Sequence, residues 1–98
     1  MLGDAPAMAA EQAREILKVI PRQPDALMLL AQACQRAGDP EGALSAAHRL
    51  VALAPNHAPA WRMIAELHRA AGDDAAAQAA TARELAAAAT DPRLIEAG

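Results

Sequence analysis

Aromatic side chains are nearly missing from this sequence: Trp61 stands alone among 98 residues, with no Phe or Tyr. A core of interlocked rings is therefore excluded. Apolar residues still make up 54% of the chain, and most of them are alanine. Alanine forms helix better than any other residue but buries little area. Such a core must gain its stability from close approach of helices. A total of roughly 5–10 kcal/mol is expected for a single domain this small.

Cysteine occurs once, at Cys34, so no internal disulfide can form, and a reducing compartment is favoured. The five glycines (Gly3, Gly38, Gly42, Gly72, Gly98) are all isolated, so there is no glycine-rich loop to cradle a phosphate. Positive charge is in deficit: the net charge is −3, which argues against nucleic acid as a partner. No charge-free apolar run reaches the roughly 18 residues that a membrane span needs. Met1-Leu2-Gly3-Asp4 shows no basic segment followed by an apolar core, so no secretory signal is visible and a cytoplasmic location is expected.

Chemistry-bearing constellations are equally sparse. His48 sits on the outer side of a helical segment and His57 in a linker, where solvated roles are expected for both. Cys34 and His68 hold matching places one period apart. Two ligands do not make a zinc site, and no orienting group completes a nucleophilic pair. Core packing is the expected role of both. Asp73-Asp74 reads as a helix cap and not as an acid–base pair. No catalytic residue, cofactor or metal site is expected.

What the chain does contain is a repeat. Pro24 to His57 is written again from Ala58 to Asp91, an offset of 34 residues that carries Leu30 onto Ile64, Ala31 onto Ala65, Gly38-Asp39 onto Gly72-Asp73, Ala43 onto Ala77 and Val51 onto Leu85. Each copy reads as two helices. Ala26 to Ala37 is apolar on nearly all sides and must be covered on more than one. Gly38 stops it, and Asp39-Pro40 caps and starts the next helix. Ala43, Leu44, Ala47, Leu50, Val51 and Ala54 then form one apolar stripe. Pro21 to Pro24 and Pro55 to Pro59 are the linkers, with Asp25 placed to cap the helix after the first. The second copy runs as a helix from Ala58 to Ala71, then from Asp73 or Asp74 to about Ala89. Glu84 falls there where the first copy has Leu50.

Shifting Ala43, Ala47, Leu50 and Pro55 back by the same offset gives Ala9, Ala13, Ile16 and Pro21. Residues 1–23 are therefore expected to hold the second helix of a partial unit, from about Pro6 to Ile20. Ala13, Ile16, Leu17 and Ile20 would face inward; Glu11, Arg14, Glu15 and Lys18 would face water. Gly3-Asp4 precedes this helix much as Gly38-Asp39 precedes the later one. At the other end, Asp91-Pro92 starts a further helix over 92–98.

The spacing resembles the tetratricopeptide repeat (TPR) family. Its pattern appears as Leu27-x2-Leu30-Ala31-x2-Cys34, Ala43-x3-Ala47 and Pro55, then as Trp61-x2-Ile64-Ala65-x2-His68 and Ala77-x3-Thr81. Cys34 and His68 replace the first aromatic, Ala47 and Thr81 the second, and Ala89 stands at the closing proline. The resemblance implies an all-α fold over 1–98: a short right-handed α-solenoid of antiparallel helix pairs, with full units at 24–57 and 58–91. It also implies a non-catalytic protein–protein interaction or scaffold module. First helices of successive units line a concave groove in that family. The matching positions here are Asp25, Met28, Gln32, Gln35 and Arg36, then Arg62, Met63, Glu66 and Arg69. Their mixed polarity suits a peptide or helix partner. Some members hold acidic C-termini with a lysine/asparagine clamp. Met28, Gln32 and Met63 occupy those places here, so that activity is not expected. Two further possibilities come from the incomplete end units. The chain could be the repeat segment of a larger bacterial enzyme, such as a sulfotransferase-type transferase, or it could form homo-oligomers through uncovered end helices.

Overall fold

The computed structural model describes residues 5–89 of the chain. The Gly3-Asp4 turn and the helix expected from Asp91-Pro92 lie outside them. Within them the chain forms α1 (Ala5–Val19), α2 (Pro24–Arg36), α3 (Pro40–Leu53), α4 (Ala58–Ala70) and α5 (Asp74–Ala89). Each helix packs against the next in order, α1 on α2 through to α4 on α5. The result is an elongated TPR-like helical stack with Cα extents of 46 × 32 × 22 Å.

The joints follow from local chemistry. Gly38 and Gly72 adopt φ of +80° and +84°, the left-handed region in which a side chain would be strained. Each lets the chain fold back so that the next amide reaches into the finished helix: Asp39 N–H to the Cys34 carbonyl at 2.8 Å and Asp73 N–H to the His68 carbonyl at 2.9 Å. The same two aspartates then cap the following helices. Asp39 accepts from Gly42 N–H at 3.0 Å, and Asp73 from Ala76 N–H at 3.1 Å. Pro24 and Pro40 begin their helices, where a missing N–H costs nothing.

Two caps differ from expectation. α2 is capped by Gln23, whose side chain accepts from Asp25 N–H at 3.2 Å; Asp25 is already inside the first turn. α4 is capped by His57, whose Nδ1 accepts from Ala60 N–H at 3.2 Å. His57 is thus half-buried and structurally engaged instead of idle in a linker. The linker geometry brings an acceptor to the free amides, and residue type alone does not reveal it.

The alanines at matching repeat places are where the helices meet. Ala31 and Ala43 are fully buried, and Ala65 and Ala77 are 2% and 1% exposed. Around them lie Leu27, Leu50 and Ile64, the largest fully buried side chains. α3 packs against both α2 and α4, which explains why its apolar face, including Leu50 and Val51, is covered. Among the described residues, the outer helices α1 and α5 each pack mainly against one neighbour. On α1, Ala13 and Leu17 turn inward as expected, but Ile16 is 42% exposed, and Ile20, just beyond the helix, is 51% exposed. On α5, Leu85 is 65% exposed although its repeat counterpart Val51 is 7% exposed. A 34-residue shift copies a place in the sequence, not the neighbours of that place.

Candidate functional site

The candidate surface is the outward side of the two first-type helices, α2 and α4. Each buries an apolar stripe at helical spacing, which turns the residues between those positions outward. On α2 the buried set includes Leu27, Leu30, Ala31 and Cys34; Asp25, Gln32, Gln35 and Arg36 stay exposed, and Met28 is half-buried against the core. On α4 the buried set is Ala60, Met63, Ile64, Ala65 and Leu67; Arg62, Glu66 and Arg69 stay exposed.

Met63 is therefore not on the surface that its assignment implied. It is 5% exposed and belongs to the core. The reason is periodic: Ala60, Met63, Ile64 and Leu67 follow the i, i+3, i+4, i+7 rule, and that stripe must face inward. Repeat matching pairs Met28 with Arg62, not with Met63, so the two methionines were never equivalent.

Arg62 is exposed yet engaged. Its Nε donates to Glu84 Oε2 of α5 at 2.8 Å, and the Glu84 side chain is only 17% exposed. That hydrogen bond, and then the carboxylate charge, make the guanidinium still harder to deprotonate. Arg62 also answers how α5 carries an acid where α3 has the buried Leu50: the acid is covered and paired. On this surface Arg36 and Arg69 take part in no ion pair among the described residues.

The remaining chemistry-bearing residues are dispersed. Cys34 is buried beneath Arg14, whose Nη2 lies 3.9 Å from Sγ. Burial pushes the thiol above its ordinary value; the Arg14 charge pulls it partly back and Asp39 adds to the rise. His68, half-buried, does not meet Cys34 through stacking of units. Its ring meets His48 of α3 instead, edge to face, with centroids 6.5 Å apart. Trp61 is half-buried against the core and anchored at its rim: Nε1–H donates to the Pro55 carbonyl at 2.8 Å, and the Arg83 guanidinium lies 5.7 Å from the ring centroid. Nothing in the sequence spacing pointed to the Arg62–Glu84, His48–His68 or Arg83–Trp61 contacts, since each joins residues from different helices. Among the described residues no group of three or more His, Cys, Asp or Glu side chains could hold a metal, and no helix is long and apolar enough to cross a membrane.

Residues 24–67 match the tetratricopeptide repeat family. The matched stretch is similar to a tetratricopeptide repeat. The match spans α2, α3 and most of α4, so it covers one complete helix pair and enters the next. No curated protein and no solved structure matches the chain. Repeats of this family are in general protein–protein interaction modules. The small residues of the repeat pattern, Ala31, Ala43 and Ala65, are the buried contact points described above.

Proposed function

We propose that the protein is a non-catalytic interaction module, a cytoplasmic scaffold element, that takes an extended peptide or a helix from a protein partner along the outward sides of α2 and α4. One observation carries this reading: two repeat-matched helices both keep polar side chains of mixed charge exposed while their apolar stripes are used up in the stack. Asp25, Gln32, Gln35, Arg36, Glu66 and Arg69 are the binding residues in this reading, with Met28 as a half-buried apolar floor. Met63 contributes from beneath as packing, and Arg62 is held by Glu84. Neither nucleic acid nor a membrane is called for.

Charge reversal tests it. Arg36→Glu and Arg69→Glu, made together, leave every described ion pair intact and should weaken capture of a partner found by pull-down at least tenfold. Thr81→Glu, on the second-type helix α5, should not. Partner capture that survives the double reversal unchanged would remove α2 and α4 from the binding surface. Arg62→Glu is unsuited to the purpose, since it breaks the pair with Glu84.

A further inference from the structure

A cavity of about 430 Å³ opens at the joint between α1 and α2, lined by Met8, Ala10 and Arg14 of α1, Cys34 of α2, and Ala37 and Asp39 of the turn that follows. The joint between α3 and α4 is its repeat counterpart. An offset of 34 residues carries Ala10 onto Leu44, Arg14 onto His48 and Cys34 onto His68. There the matching place carries larger groups: Leu44 packs against the core, and the His48 and His68 rings meet edge to face. The first joint has a methyl group and a thiol where the second has an isobutyl group and an imidazole. We propose that this cavity is a second binding site, which receives one aromatic side chain, a tyrosine or phenylalanine, from a partner polypeptide.

The repeat pattern sets an aromatic ring at the place that Cys34 holds. A ring from outside restores what this joint has given up. The lining suits one. The exposed thioether of Met8 and the buried thiol of Cys34 are soft and polarisable, and sulfur makes favourable contacts with aromatic rings. Arg14, itself exposed, reaches across the joint with Nη2 at 3.9 Å from Cys34 Sγ, and its guanidinium plane can stack on a ring. Ala10 and Ala37 leave width between the two helices, and Asp39 gives the rim an acceptor for a tyrosine hydroxyl. The chain does not supply such a ring itself. It has no Phe or Tyr, and Trp61 is committed to the Pro55 carbonyl and to Arg83. A second copy is therefore a poor occupant, and a partner of different sequence is the fitting one. The lining shares no residue with the face of α2 and α4 proposed above.

The experiment is titration of the full chain with N-acetyl-tyrosine amide, with N-acetyl-leucine amide as the comparison, followed by NMR at the methyl groups of Met8, Ala10 and Ala37. Saturable shifts centred on these methyls are expected, with half-saturation on the order of a millimolar for so small a probe. The leucine probe should bind at least about fivefold more weakly, the scale of ring-specific contacts. Ala10→Leu gives the first joint the side chain that the second has at Leu44, and should weaken binding at least about tenfold by filling the cavity. Should that variant fail to fold, the exposed Arg14→Gln decides, with an expected loss of about threefold from the missing cation–ring contact. Arg69→Glu, on the α2 and α4 face, should change nothing, so this site and that face stand or fall separately. Equal binding of the two probes, shifts scattered away from the cavity, or affinity unchanged in both Ala10→Leu and Arg14→Gln overturns the proposal. So does a Met8 signal that moves with protein concentration in the absence of probe, which would make a second copy the occupant.

Discussion

Val51 and Leu85 hold the same place in two copies of the repeat, yet the structure gives them opposite weights. Val51 is 7% exposed on α3, which has a neighbour on either side; Leu85 is 65% exposed on α5, which has α4 as its packed neighbour. Val51→Ala removes two buried methyl groups. Each is worth about 0.8 kcal/mol in transfer, and the residual cavity brings the cost to about 2 kcal/mol. Leu85→Ala removes more carbon, but most of it already touches water, and alanine is the better helix former. Its cost should stay within about 0.5 kcal/mol. Urea unfolding followed by circular dichroism separates the two. With a slope of about 1 kcal/mol per molar for so small a domain, Val51→Ala should lower the midpoint by about 2 M and Leu85→Ala by less than about 0.5 M. The slope should be the same in both variants, since neither changes the area exposed on unfolding by much. Equal losses would refute the reasoning: Leu85 would then be covered in solution.

Two further outcomes follow from single side chains. An alanine at Gly38 or Gly72 would meet no atom within 4 Å, so its cost is backbone strain alone, about 1–2 kcal/mol at each left-handed position. Gly42→Ala runs against its own propensity. Helix preference favours alanine by up to about 1 kcal/mol. However, the new Cβ would collide with Asp39 Oδ2 and stand 3.1 Å from Cys34 Sγ, displacing the α3 cap. Net destabilisation by urea is expected, and it should shrink in an Asp39→Ala background; a stabilised Gly42→Ala would contradict the cap geometry. For Cys34, burial predicts slow alkylation of the native protein and fast alkylation in urea, with rates that track local opening. The raised folded-state thiol pKa also fixes a sign. Above the ordinary thiol range of about 8.5 the unfolded chain loses its proton first, so stability falls as pH rises through that window. Cys34→Ser, which does not ionise there, should flatten that fall; an unchanged profile would count against it.

Helices, caps and stops could be read from the chain because their causes are local. Gly38 and Gly72 end helices through their own backbone freedom, and Asp39 and Asp73 cap through bonds that reach three residues ahead. The repeat could be read because its small residues recur at a fixed spacing, and the buried Ala31, Ala43, Ala65 and Ala77 stand where that spacing put them. Most of the candidate binding face was legible for the same reason, as the complement of an apolar stripe. Assembly alone decided the rest. Met63 is core because the α4 stripe turns it inward, and Ile16 is bare because, among the described residues, α1 packs mainly against α2. Arg62 found Glu84, and His68 found His48, across helix junctions that no linear pattern encodes. Residue type determined what each segment of this chain can become, whereas which side chains meet depended on the helices coming together, since contact is a property of pairs distant in sequence.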